Sequence, residues 1–149
     1  MREVLFRGKR TDCEAWVEGD LLHYESGEMA ICKGFSKYGY EATEIIGRYK
    51  VIPETVGQYT GVKTYSKHDD ELHKIFEDDL CYVTEFDCDG NDEQHLCQVM
   101  FDCGTFYFKD VNSDWCRAFY EIGDIESDVE LVGNIHDNPE LLKGGEDNG

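Results

Sequence analysis

Apolar and polar residues alternate in short runs along most of this chain, and turn residues interrupt the runs every few positions. Val4 to Arg7 reads as a strand closed by Gly8, and Ala15 to Tyr24 reads as a second. In the second, Trp16-Val17 leads and Leu21-Leu22 follows Gly19. A glycine inside a strand marks a bulge or the close approach of another backbone. Ser26-Gly27 is a turn signal ahead of a third strand, Met29 to Lys33. These three predict an N-terminal β meander. Residues 34–42, rich in Gly and Tyr, read as a loop, and Tyr49 to Ile52 is a strand stopped by Pro53. Gly57 and Gly61 are too sparse for a phosphate-binding loop, which also needs a following Lys-Ser/Thr, so Glu54 to Gly61 reads as turn geometry.

Residues 66–79 are the best helix candidate. Ser66-Lys67-His68-Asp69 fits a capping box, and Leu72, Ile75 and Phe76 recur at helical spacing. Leu80 to Phe86, Leu96 to Asp102 and Thr105 to Lys109 are three further strands, with Asp102-Cys103-Gly104 as a tight hairpin between the last two. Trp115 to Tyr120 and Val129 to Gly133 supply two more. Asn138-Pro139-Glu140-Leu141-Leu142 predicts a closing helical turn with Pro139 at its first position. The fold class is therefore mostly β: an N-terminal meander or arm plus a small, SH3-like β-barrel, with one short helix or turn insert. The division is 1–59 for the N-terminal region, 60–142 for the barrel module and 143–149 for a disordered tail.

Charge divides the chain more sharply than pattern does. Residues 1–67 carry ten basic and ten acidic side chains, whereas residues 68–149 carry four and 23, so the net −19 lies wholly in the second part. Direct nucleic-acid binding is not expected, because phosphate contacts need clustered Lys and Arg. Such a surface keeps a protein soluble, or it engages a basic protein as a decoy or adaptor. With 40% apolar and 13% aromatic residues the chain has enough material for a core. No apolar run approaches the ~18 residues of a membrane span, and no apolar leader segment follows Met1-Arg2-Glu3.

The seven cysteines are odd in number and contain no Cys-x-x-Cys, which argues for free thiols and against a zinc site. His95 and Cys97 alternate along one strand, but two ligands do not make a metal centre. The loop from Asp87 places oxygen ligands at calcium-loop positions 1, 3 and 5, yet Asp92 and Gln98 stand where glycine and glutamate belong, so it reads as a hairpin tip. His68 and His73 read as solvated. No Gly-x-Ser-x-Gly occurs, and no nucleophile–base pair stands out. The expectation is a non-enzyme with no cofactor and no bound metal.

Three stretches in order resemble the YopX family of phage and prophage proteins. They are Phe6-Arg7-Gly8-Lys9-Arg10 with Trp16-Val17-Glu18-Gly19-Asp20-Leu21; Val51 through Gly61 with Ile75-Phe76-Glu77-Asp78-Asp79-Leu80; and Val132 through Leu142. The chain departs from the family pattern in an acidic insert at Tyr65 to His73 and in Asp78, which replaces the glycine of a Phe-Glu-Gly-Asp motif and predicts an altered turn. The resemblance implies a small, mostly β, phage-encoded protein of the bacterial host cytoplasm that forms homo-oligomers, with no established catalytic residues. Glu54, Gln58 and Tyr59 are the polar group singled out for function or for anchoring a loop. Trp16, Phe35, Tyr38, Tyr40 and Tyr49, on the uncharged half, are the residues expected to mediate self-association.

Overall fold

The computed structural model describes residues 3–36 and 44–143. The chain is mostly β and divides into two compact units, Met1–Tyr59 and Thr60–Gly149. Among the described residues no helix is long and apolar enough to cross a membrane.

The first unit holds β1 (Phe6–Lys9), β2 (Trp16–His23), β3 (Met29–Ser36) and β4 (Glu44–Val51), all antiparallel, followed by a 3-10 turn at Pro53–Thr55 and the start of β5 (Gly57–Tyr65). β2 is used twice. Residues Trp16 to Gly19 pair with β1, and Asp20 to His23 pair with β3. The change of partner falls at Gly19, where an added Cβ would overlap the carbonyl oxygen of Cys32. This is the close backbone approach that an in-strand glycine signals. β4 then returns toward β1: the Ile52 N–H donates to Lys9 O at 2.8 Å, the Thr11 N–H donates to Lys50 O at 3.0 Å, and Arg10 bridges Val51. The sheet therefore curls at this end over a core of Val17, Ile31 and Val51, with Phe6, Leu21, Met29 and Tyr49 packed against it. Pro53 opens the 3-10 turn. Thr55, buried beside it, donates its hydroxyl to Ile52 O at 2.6 Å and accepts from the Lys9 N–H at 2.9 Å.

β5 continues into the second unit, where it neighbours β6 (Leu72–Phe76). The second sheet runs β10-β9-β8-β7-β11, formed from β7 (Asp79–Glu85), β8 (Glu93–Asp102), β9 (Thr105–Asp110), β10 (Cys116–Ala118) and β11 (Val129–Asn134). Past β11 the chain at Ser66 forms a parallel bridge to Leu131, with the Lys67 N–H on Leu131 O. Among the described residues no closed ring of strands is found. The core is Ile75, Cys81, Val83, Cys97, Val99, Phe108 and Val129, every one a strand residue on the inward side of the period-two alternation. Cys81 and Cys97 sit directly opposite each other across β7 and β8.

The helix expected over residues 66–79 is not formed. Leu72–Phe76 is β6, and the residues before it are bends. The polar side chains that suggested a cap make local turns instead. Ser66 Oγ accepts from the His68 N–H at 3.1 Å, and Asp69 Oδ1 accepts from the Glu71 N–H at 2.9 Å. Such side-chain-to-backbone bonds two residues on compete with the helical ladder. The regular α-helix of the described chain is the single turn α1 (Ile125–Asp128), capped by Asp124, and a 3-10 turn at Pro139–Lys143 supplies the expected C-terminal helical turn.

Asp78 lies at φ 70°, in the left-handed region that glycine favours. Its carboxylate accepts from Gln98 Nε2 at 3.0 Å and faces His136 Nε2 at 3.5 Å, contacts that offset the strain of a left-handed aspartate. The β8–β9 hairpin closes at Asp102↔Thr105 through Cys103 and Gly104, both with positive φ, as a type I′ turn requires.

Candidate functional site

A dense polar cluster of the second unit lies where β7 and β9 end and β8 and β10 begin. Register brings it together. Glu85 closes β7 directly opposite Glu93, which opens β8, and His95 stands two residues further along β8. Asp110 closes β9, where its carboxylate starts a turn by accepting from the Asn112 N–H at 2.7 Å. That turn delivers Trp115 and then β10 with Arg117.

Asp110 Oδ2 lies 2.7 Å from His95 Nδ1, and both side chains are nearly buried, at 11% and 13% exposure. Burial pushes the Asp110 carboxyl up. Hydrogen bonds from the Asn112 N–H, from His95 and from Ser113 outweigh that and hold it below the usual carboxylate range. The bond to Asp110 fixes the imidazole, whose face stacks on Trp115 with centroids 4.0 Å apart and planes 7° from parallel. His95 Nε2 is closed to solvent and makes no hydrogen bond among the described residues; Glu93 Oε2 approaches it to 3.4 Å.

On Trp115, the indole Nε1–H donates to Glu85 Oε2 at 2.6 Å. Arg117 reaches the other oxygen of that carboxylate at 3.2 Å, with its guanidinium carbon 5.2 Å from the Trp115 ring centroid. Glu85 thus takes two donors, which relieves the repulsion that Glu85 and Glu93 would otherwise feel across the ladder. Beside this network opens a pocket of about 200 Å³, floored by Val83 and Ile122 and rimmed by Glu85, Phe86, Trp115, Arg117, Glu121 and Asp128. The Asp110–His95 pair has the residue types of a general-base dyad. Its bond to Asp110 and its stack on Trp115 make the imidazole a clamp that orients the indole.

The residues singled out in the sequence fall elsewhere. Glu54 is exposed in the 3-10 turn after β4, Gln58 is half-buried beside Phe6 of β1, and Tyr59 is buried, its N–H donating to Leu5 O at 2.8 Å. Trp16 and Tyr49 are half-buried, each beneath cations: Arg7 and Lys9 lie 4.6 and 5.5 Å from the Trp16 ring, and Arg10 lies 4.5 Å from Tyr49. Phe35 lies in β3 opposite Ile45; Tyr38 and Tyr40 lie outside the described residues. His95 and Cys97 do not act together, since Cys97 is in the core and its thiol faces the His95 carbonyl at 3.7 Å. At the acidic insert, Asp69, Glu71 and His73 gather their ligand atoms within 4.8 Å of one another at the surface, and His73 Nε2 already engages Asp69 at 2.9 Å. Sequence reasoning reached His95 but missed its partners Asp110, Trp115 and Glu85. Their only local sign is the turn-forming Asp110-Val111-Asn112-Ser113 run.

Comparison with curated proteins and with solved structures returns no match. The family model described as YopX protein matches residues 5–143, nearly the whole chain and both of its units, and this protein belongs to the YopX family.

Proposed function

We propose that this chain is a phage- or prophage-encoded accessory protein of the host cytoplasm that works by assembling with copies of itself rather than by catalysis. The division of charge carries the reading. All of the net −19 lies beyond residue 67, so two second units repel, while the first part of the chain has no net charge. Association through the first unit avoids stripping water from unpaired carboxylates. That unit presents Trp16 and Tyr49 as half-buried aromatic rings capped by Arg7 and Arg10, the residue types enriched at interfaces. The non-catalytic part of the reading is supported by the closed Nε2 of His95, which leaves the buried His95–Asp110 pair without access to solvent.

Light scattering on the intact protein, over a range of concentrations and salt, tests this. A multimer that persists in high salt and dissociates in a Trp16→Ala or Tyr49→Ala variant that remains folded is the expected result. A monomer at all concentrations overturns the proposal.

A further inference from the structure

The pocket beside Trp115 combines three things: an aromatic wall, a rim of carboxylates and a guanidinium already in place. Trp115 and Phe86 provide the wall, and Phe86 is 59% exposed, a large apolar surface left in water. Glu85, Glu121 and Asp128 bring negative charge, at the rim of a unit that carries nearly all of the acidic excess of the protein. The third feature is independent of the acidity. Arg117 lies 5.2 Å from the Trp115 ring centroid and 3.2 Å from Glu85, with its side chain still 42% exposed. An arginine held between an indole and a carboxylate is how such a site recognises a cation: a stacked, weakly hydrated guanidinium and a charge-assisted hydrogen bond. Arg117 therefore shows the chemistry the pocket accepts, while the exposed Phe86 and the remaining carboxylates leave room for a second cation.

We propose that this pocket receives an arginine side chain from a basic protein partner, which competes with Arg117 for Glu85 and Trp115. The indole N–H of Trp115 donates to Glu85, so the ligand's arrival at that carboxylate is felt directly by the tryptophan. His95, clamped by Asp110, backs the indole and keeps the wall in place. The inference is separate from self-association. Its residues all belong to the second unit, and the oligomeric state does not bear on it.

The probe is a tetra-arginine peptide, with tetra-lysine and tetra-glutamate as comparisons, titrated into the intact protein. The chain has two tryptophans, so a Trp16→Phe background leaves Trp115 as the sole indole emitter. In the unaltered protein, the Trp115 indole N–H resonance gives the same readout. Tetra-arginine is expected to saturate the Trp115 signal and to bind more tightly than tetra-lysine, with tetra-glutamate silent. Glu85→Gln should weaken binding by about fivefold and Arg117→Ala should strengthen it by about twofold or more, as the internal competitor is removed. Glu130→Gln, the same loss of charge on exposed β11, should change it by less than about twofold. Equal effects from Glu85→Gln and Glu130→Gln, or weaker binding in Arg117→Ala, would mean diffuse attraction to an acidic surface and would overturn the proposal. So would saturation by tetra-arginine with no change at Trp115. If Glu85→Gln fails to fold, the sign of the Arg117→Ala effect and the indole shift in the unaltered protein still decide the matter.

Discussion

The ring of His95 lies flat on that of Trp115, centroids 4.0 Å apart, and Asp110 at 2.7 Å from Nδ1 holds it there. The stack is the hinge of the second unit's polar cluster, because it joins β8 to the turn that begins β10. Asp110 is also the group there whose carboxyl is held below its ordinary value. A carboxyl with a depressed value in the folded state contributes stability at all pH above its unfolded value. That contribution is lost as pH falls through the folded value. Stability should therefore decline on acidification below about pH 4 with a component traceable to Asp110. Asp110→Asn should lower stability near neutral pH by about 1–3 kcal/mol and should flatten the acid limb. Denaturant midpoints of both proteins against pH are the measurement, and parallel acid limbs would remove Asp110 from this role.

Thiol reactivity should sort by burial. Burial, with the negative charge of Asp110 adding to it, pushes the Cys97 thiol up to about 12, and Cys81 opposite it is fully buried. Cys13, Cys88, Cys103 and Cys116 are exposed. A thiol at about 12 has on the order of one thiolate in ten thousand at pH 8, so alkylation of the native protein should reach the exposed four and spare Cys81 and Cys97. After denaturation without reductant all seven should titrate. Fewer than seven would point to an oxidised pair.

Gly19 and Gly133 are held by their neighbours rather than by turns. At Gly19 a Cβ would strike the Cys32 carbonyl, and at Gly133 it would strike Asn138 Oδ1, the atom that accepts from the Asn134 N–H. The first obstacle is backbone and cannot step aside. Gly19→Ala should cost about 1–3 kcal/mol of stability, while Gly34→Ala, with open space around it, should be close to neutral. The second obstacle is a side chain. Gly133→Ala and Asn138→Ala should therefore be non-additive, the double variant losing less than the two single losses together. Additive losses would mean that the Gly133–Asn138 contact does not matter.

What the sequence reveals of this fold is what period two and turn chemistry encode. The alternation through Cys97 and Val99, the Pro53 stop and the Asp102-Cys103-Gly104 hairpin are local patterns, and each corresponds to an element. Residues 66–79 misled because Leu72, Ile75 and Phe76 satisfy a helical spacing. The short polar side chains of Ser66 and Asp69 serve turns as readily as caps. The cluster around His95 was hidden for a different reason. Asp110 is 15 residues from His95, and Trp115 is 30 from Glu85, so register across four strands creates the site and no sequence motif announces it.

The β8–β9 turn offers a sharper test of the same logic. Its loop positions are Cys103 at φ 53° and Gly104 at φ 78°, both in the left-handed region. Glycine reaches that region freely. Cysteine pays a steric cost there of roughly 1–2 kcal/mol, which asparagine partly escapes by bonding its side chain to nearby backbone. Cys103 is exposed, and the bond it gives to Asp102 Oδ1 at 2.9 Å comes from its backbone N–H, which a substitution keeps. Cys103→Asn creates the Asn-Gly pair that type I′ turns favour. It should raise stability by about 0.5–1 kcal/mol while removing one of the reactive thiols. Cys103→Val, β-branched and poorly suited to positive φ, should lower it. Equilibrium unfolding of the three proteins under reducing conditions orders them as Asn, then Cys, then Val. An inverted order would mean that the hairpin is held by its strands alone, with the turn following passively.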